Sequence, residues 1–253
     1  MISTPDLSYE RDLWPFHKYI AGLDEAGRGA LAGPVCVGAV ILPDDEPHLS
    51  QTLSGARDSK QLTPRKRDQL APRIKEIARS WGIGFAAAEE IDSMGIVPAT
   101  RLAASRAVEM LSFFPQFLLT DFRLELPELD ISQAALVKGD QRSLSIAAAS
   151  ILAKTARDEF MRDLHNQYPD YEFMRHKGYG TLVHRRAIAD LGYSPAHRKT
   201  FTLKKRGLHK KTSCKFLRRN AGCFFVVVDF YEFFKETCSK GLYCREDDGF
   251  LLF

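Results

Sequence analysis

The chain has 253 residues, 45% of them hydrophobic and 27% charged, which is enough to bury a substantial core and too apolar to stay disordered, so it reads as one globular domain with an appendage. No run approaches the ~20 apolar residues of a membrane span, and residues 1–14 carry acids and a proline where a secretory signal would be apolar, so the expectation is a cytoplasmic protein with no membrane partner. The net charge of +4 is uneven: residues 196–220 hold ten Lys/Arg and no acid, a block that suits either a solvated face or a segment binding a polyanion.

In chain order, residues 19–24 predict a strand, and 34–42 (PVCVGAVIL) a second one rich in β-branched residues. The Gly-rich turn between them is short enough for an antiparallel hairpin. Residues 62–79 predict a helix opened by Thr63 and Pro64, with Pro72 arguing for a break. A third strand is expected at 82–88 and a helix at 97–111, where apolar positions recur at helical spacing. Residues 117–121 (FLLTD) and 134–140 (AALVKGD) are short apolar runs, each finishing in an aspartate. The strongest helix pattern covers 144–165, with alanines that allow close packing on a sheet. A boundary is expected near residue 200, separating a catalytic domain at 1–201 from a basic and then apolar extension at 202–253. The five cysteines are odd in number, four lie in the tail, and none form a C-x-x-C pair, so reduced thiols are expected rather than zinc.

Three strand-like runs therefore end in carboxylates: Asp24 with Glu25, Asp121, and Asp140. Functional groups collect at strand ends in α/β sheets, and neighbouring strands bring distant residues together. Four carboxylates facing one pocket would raise each other's pKa unless cations neutralise them, and oxygen-preferring Mg²⁺ or Mn²⁺ suits such a donor set. Two such ions suit phosphodiester hydrolysis. Successive strand residues point to opposite faces, so Asp24 and Glu25 are expected to share a site only if the strand bends, which Gly27 and Gly29 would permit. Taken singly, an aspartate closing a strand is more often a turn-former or helix cap than a ligand.

The stretches GLDEAGRGALAGPV (22–35), DSKQL (58–62), KGDQRSLSIAAASILAKTARD (138–158), YPDYEF (168–173), HKGYGT (176–181) and HRKTF (197–201) together resemble bacterial ribonuclease HII, the type 2 ribonuclease H, in order over roughly 18–201. The resemblance implies an α/β, RNase H-like fold with a mixed five-stranded sheet flanked by helices. It also implies a metal-dependent endonuclease acting on RNA–DNA hybrids and on single ribonucleotides embedded in duplex DNA, cutting on their 5′ side to leave 3′-hydroxyl and 5′-phosphate ends. Its four metal-binding acids fall on Asp24, Glu25, Asp121 and Asp140, the set that strand ends single out. Gly27, Arg28 and Gly29 match the family loop that senses the ribose 2′-OH, a group only close backbone approach can read. Tyr179 matches the tyrosine that stacks on the next sugar. Lys60, Lys138, and either His176 or Lys177 are candidate phosphate contacts. The sequence departs from the family at Phe122, where glycine is usual, and at Ala30, where proline is common. Residues 212–253 match no known pattern, although the final DDGFLLF resembles a sliding-clamp-binding peptide. Nothing demands more than a monomer.

Overall fold

The computed structural model describes residues 4–121 and 124–201. The extension at 202–253 with most of the basic block and the clamp-like terminus, and Phe122 beside the third acid, lie outside these residues. In chain order the elements are helix α1 (Ser8–Leu13), strands β1 (Ile20–Ala26) and β2 (Val35–Ile41), and helices α2 (Leu49–Thr52) and α3 (Pro64–Ile77). Strand β3 (Ser80–Ala86), helices α4 (Ala88–Met94) and α5 (Ile96–Glu109), and strands β4 (Phe117–Asp121) and β5 (Ser132–Leu136) follow. Helices α6 (Leu144–Gln167), α7 (Phe173–His176) and α8 (Leu182–Leu191) complete the set. The five strands form one sheet in the order β3-β2-β1-β4-β5. β1 is antiparallel to β2, and β2 to β3, whereas β1, β4 and β5 run parallel. This is the mixed five-stranded sheet with flanking helices that the sequence implies.

Missing side chains set the depth of the two helical layers. A Cβ on Gly22 would strike the backbone of Ser145 and Ile146, and one on Gly38 would strike the carbonyl of Ala149, so α6 rests directly on β1 and β2. On the other face Gly82 and Gly84 admit the carbonyls of Ala107 and Ala103, letting α5 rest on β3. Directly opposed residues of antiparallel strands share a face, and Asp24 lies opposite Gly38, so Asp24 looks toward α6. Between α5 and the sheet, Ala21, Leu23, Val37, Ala39, Leu118 and their neighbours form the main apolar cluster. Cys36 is a free, buried thiol, and burial pushes its pKa up. Among the described residues no helix is long and apolar enough to cross a membrane.

Two boundaries differ from the sequence expectation. Helix α3 runs unbroken through Pro72. Pro72 sits on the solvent face of the helix, where water can satisfy the carbonyl that loses its amide partner. Strand β5 ends at Leu136, four residues before Asp140, which sits instead in a 3₁₀ turn (Gly139–Gln141) entered through Lys138 in the left-handed region at φ 55°.

The periodicity does not point to α1, which docks through a buried acid. Glu10, 1% exposed, accepts from the hydroxyls of Ser143 and Ser145, each at 2.6 Å, and from the Ser145 amide at 2.9 Å. A carboxylate thus satisfies donors at the positive end of α6. Glu10→Ala is expected to cost about 2–3 kcal/mol in denaturant unfolding, because it strands these buried donors; a near-neutral change would mean the two serines satisfy each other.

Helices α7 and α8 meet the C-terminal segment in a cluster of three buried histidines around Phe173. Burial, with His176 as a neighbour, depresses both His184 and His197 to about 4. Their folded pKa lies below the unfolded value of about 6.5, so the stability they contribute is present above pH 6.5 and is lost as pH falls toward 4. The unfolding free energy should drop between pH 7 and pH 5 by roughly 1–2 kcal/mol for each of the two histidines. The drop should shrink in His197→Gln, and an equal drop in that variant would assign the acid sensitivity elsewhere.

Candidate metal centre and its flanking loops

Each acid reaches the site by a different route. Asp24 is carried on β1, the central strand, and is 3% exposed. Leu23 pairs with Thr120 across the parallel β1–β4 ladder, so the next residues, Asp24 and Asp121, fall side by side at its end. Carboxylate oxygens of Asp24, Glu25 and Asp121 lie within 4.8 Å of one another. The expected bend in β1 is not needed for this. The ladder with β2 continues through Asp24, Glu25 and Ala26, whereas the ladder with β4 stops at Leu23, which leaves the β4 side of β1 unpaired where the acids lie.

Backbone contacts hold these acids in place. The Glu25 amide donates to Asp24 Oδ1 at 2.7 Å, and the Gly139 amide donates to Asp121 Oδ1 at 2.9 Å. The second bond ties the β4 acid to the turn that carries Asp140. A Cβ on Gly139 would press on the end of the Ile146 side chain, so the missing side chain eases the approach of the turn to α6. Asp140 is 8% exposed and adjoins the cluster without entering the tight set of three. Its closest coupling is to Asp58.

Charge is concentrated here without matching counter-charge. Burial, then Glu25, raises Asp24 well above the ordinary carboxylate range, against a lowering contact from the Ser150 hydroxyl. Burial also raises Glu25, while Arg28 opposes it through an ion pair at 3.7 Å. Asp140 is pushed up to about 6 by burial and by the carboxylates of Asp58 and Asp121. Lys60 is raised in turn: burial alone would lower it, but Asp24, Asp58, Asp140 and Glu25 outweigh that. Glu25 Oε2 is buried with no hydrogen-bond partner among the described residues. An oxygen-only donor set, mutual carboxylate repulsion and an orphaned buried oxygen together fit a hard divalent cation held by Asp24, Glu25 and Asp121.

Sequence reasoning missed Asp58. It caps the 3₁₀ turn Ser59–Gln61 by accepting from the Lys60 amide at 2.9 Å, and its charge is felt at both Asp140 and Lys60. Its signal lay in the DSKQL motif, where the aspartate precedes the lysine by two residues.

The flanking loops sit beside the acids. Gly27 ends β1 at φ 88°, and a Cβ there would overlap the Arg157 guanidinium. Gly29 has neither constraint: its φ lies outside the left-handed region and a Cβ would meet nothing within 4 Å. Arg28 is half-buried against Glu25, and its carbonyl accepts from Arg198 Nη1 at 2.9 Å. The Tyr179 ring lies under Arg157 at 5.4 Å and near Lys154 at 5.9 Å. Lys138 is exposed at the turn before Asp140. His176 is no phosphate contact: it is 6% exposed, with Nε2 donating to the Tyr171 carbonyl and Nδ1 accepting from the Gly178 amide. His184 and His197 bond each other through their Nε2 atoms at 3.0 Å.

The family model described as Ribonuclease HII matches residues 21–204. A ribonuclease HII of Dehalococcoides mccartyi is 49% identical over 199 residues, covering 78% of this chain and 92% of that protein. One from Thermus thermophilus is 47% identical over 192 residues, covering 76% and 90%. Among solved structures, the PCNA:RNase HII complex from Archaeoglobus fulgidus matches with a TM-score of 0.61 at 26% identity, covering 75% of this chain and 98% of that one. The carboxylate cluster, the hairpin loop and the sheet that carries them lie within the matched span, and the chain belongs to the ribonuclease HII family.

Proposed function

We propose that this chain cuts the phosphodiester on the 5′ side of single ribonucleotides embedded in duplex DNA, as well as the RNA strand of long hybrids, leaving 3′-hydroxyl and 5′-phosphate ends. Ribonuclease HII enzymes are endoribonucleases that hydrolyse RNA in RNA–DNA hybrids, and this chain is one of them. The observation that carries the finer reading is the meeting of Asp24, Glu25 and Asp121 beside an exposed glycine that the fold itself does not require.

On this reading Asp24, Glu25 and Asp121 hold Mg²⁺ or Mn²⁺, and Asp140 supplies a fourth carboxylate from the adjoining turn. Such ions, when bound, supply an activated water and neutralise charge on the leaving oxygen. The protein's own contribution is placement. The Gly139 amide orients Asp121, Lys60 brings a cation to the acid cluster, and Arg28 partly neutralises Glu25. Asp24, buried against α6, keeps its carboxylate out of bulk water and so favours exchange of a proton or solvent ion for a divalent one. The backbone at Gly27, Arg28 and Gly29 reads the 2′-OH, and the Tyr179 ring checks the sugar that follows. Lys138 contributes a surface cation for the substrate backbone.

An end-labelled duplex with one ribonucleotide tests the reading. Wild-type protein should give one cut 5′ of the ribonucleotide in Mg²⁺ or Mn²⁺ and none with chelator, and Asp24→Asn should lose at least about 10³-fold in rate. Binding without cutting under either ion would make the chain a silent hybrid binder. Poor cutting here beside efficient cutting of a long hybrid would point to the sister type III specificity.

The two loop glycines separate folding from recognition. Gly29→Ala should leave the unfolding midpoint unchanged and lower cutting at the embedded ribonucleotide by about tenfold or more, because a methyl intrudes where only a ligand can come. Gly27→Ala should destabilise the fold by about 1–3 kcal/mol through its positive φ and its overlap with Arg157. Wild-type cutting by Gly29→Ala would remove this loop from substrate reading.

A further inference from the structure

His197 and Arg198 are consecutive, 1% and 0% exposed, and far in sequence from every acid of the site. Their backbone lies along the returning arm of the β1–β2 loop. His197 bridges Ala32, the Arg198 amide donates to the Leu31 carbonyl at 2.9 Å, and the Gly33 amide donates to the Ala196 carbonyl at 2.8 Å. Their side chains then reach two different places. Arg198 donates from Nε to the Gly33 carbonyl and from Nη1 to the Arg28 carbonyl, each at 2.9 Å. It therefore grips the middle of the loop made by Gly27, Arg28 and Gly29.

His197 reaches Tyr179 through a relay whose proton positions follow from its ends. The Tyr179 carbonyl can only accept, so His184 Nδ1 donates to it at 3.0 Å. Neutral His184 must then accept at Nε2, so His197 Nε2 donates there at 3.0 Å. That leaves His197 Nδ1 as an acceptor, and it receives the Ser194 amide at 3.0 Å and the Ser194 hydroxyl at 2.8 Å. Every ring nitrogen of the two histidines is used once the pair is neutral, which agrees with their depressed pKa values.

The arrangement is expensive as mere packing. Arg198 is fully buried and forms an ion pair with no carboxylate among the described residues, and its Nη2 has no partner there. A buried cation spent on backbone carbonyls fixes geometry more than it adds stability. Arg157 makes a parallel tie, donating to the carbonyls of Ala32 and Pro34 on one side and Lys177 on the other.

We propose that His197 and Arg198 are positioning residues that fix the separation between the loop at Gly27, Arg28 and Gly29 and the Tyr179 ring, and so set the preference for a single ribonucleotide followed by DNA over continuous RNA. This rests on the reading that the loop and Tyr179 flank the RNA–DNA junction. Neither residue touches the acids, so hydrolysis of a long hybrid, which presents a 2′-OH at every register, tolerates a small change in that separation. A lone ribonucleotide offers one register and does not.

The test uses the full chain and steady-state kinetics on two duplexes, one with a single ribonucleotide and one a long hybrid, with unfolding midpoints alongside. His197→Phe and Arg198→Lys should each lower kcat/KM on the single-ribonucleotide duplex by about tenfold or more while changing kcat on the long hybrid by less than about threefold. His197→Gln, whose amide N–H can still donate toward His184, should recover most of the selectivity. Should His197→Phe not fold, Arg198→Lys against His197→Gln carries the same comparison. Parallel losses on both duplexes that follow the unfolding midpoint, or folded variants with wild-type selectivity, would overturn the proposal. Tyr179→Ala distinguishes the two levels: if it shifts selectivity and the tie variants do not, only the tie falls, and if it leaves selectivity unchanged, the junction reading falls with it.

Discussion

Like charges that are buried together must be neutralised, protonated or separated, and the acid cluster of this chain is built so that separation is impossible. Asp24 is fixed on the central strand, Glu25 follows it in the same ladder, and Asp121 ends the strand beside it. The Gly139 amide removes the freedom of Asp121 to swing away, and α6 covers Asp24 from above. What remains is protonation or a cation, and the raised pKa values of Asp24, Glu25 and Asp140 are the protonated answer to the same electrostatic problem. A divalent cation held by Asp24, Glu25 and Asp121 would supply the charge that relieves this crowding. Lys60 and Arg28 relieve part of it, which keeps the folded chain viable without removing the drive for a divalent ion.

That crowding depends in turn on how closely α6 approaches the sheet. Gly22 and Gly38 let the helix backbone sit where side chains would otherwise stand, and its alanines add no bulk. The start of α6 is therefore pinned against β1, which brings the Gly139 turn and Asp140 to the ends of β1 and β4. Glu10 reinforces the same end of the helix from outside the sheet. A larger residue at either glycine would raise the helix and widen the carboxylate set, so the small residues of the packing interface are requirements of the chemistry as well as of the core.

The sequence reading succeeded where local pattern and long motifs agree. Strands β1 and β2, the long helix α6 and the acids at 24, 25 and 121 stand out because apolar runs end in charge, and strand interiors tolerate charge poorly. The 62–79 helix was legible, but not its passage through Pro72, since whether a proline breaks a helix depends on which side faces water. Placement of Asp140 was legible only in part: the apolar run predicts a strand to the acid, yet a left-handed residue at Lys138 ends the extended chain first. Asp58 and Glu10 were invisible as site and scaffold groups because their partners lie 82 and 133 or more positions away, at Asp140 and at Ser143 and Ser145. Long-range polar pairing leaves no period in a sequence.

The same reasoning explains why the recognition side of the site is held by polar groups. Apolar burial is non-directional and favours contact without prescribing the orientation of any one group. A buried hydrogen bond is less forgiving, since a donor that loses its acceptor in the interior regains nothing from water. Arg157 and Arg198 donate only to backbone carbonyls of the loop arms and of Lys177, and the two neutral histidines carry a single directed chain from Ser194 to Tyr179. The arginine bonds end on backbone carbonyls, and the histidine chain ends on the Tyr179 carbonyl, so both ties act on the backbone. On the proposed reading, a site that tells one hydroxyl from its absence needs that kind of constraint at the chain itself, whereas the acids need only be crowded. The fold accordingly uses small residues and apolar contact to bring the acids together, and buried cations and neutral rings to hold the loop arms that flank them.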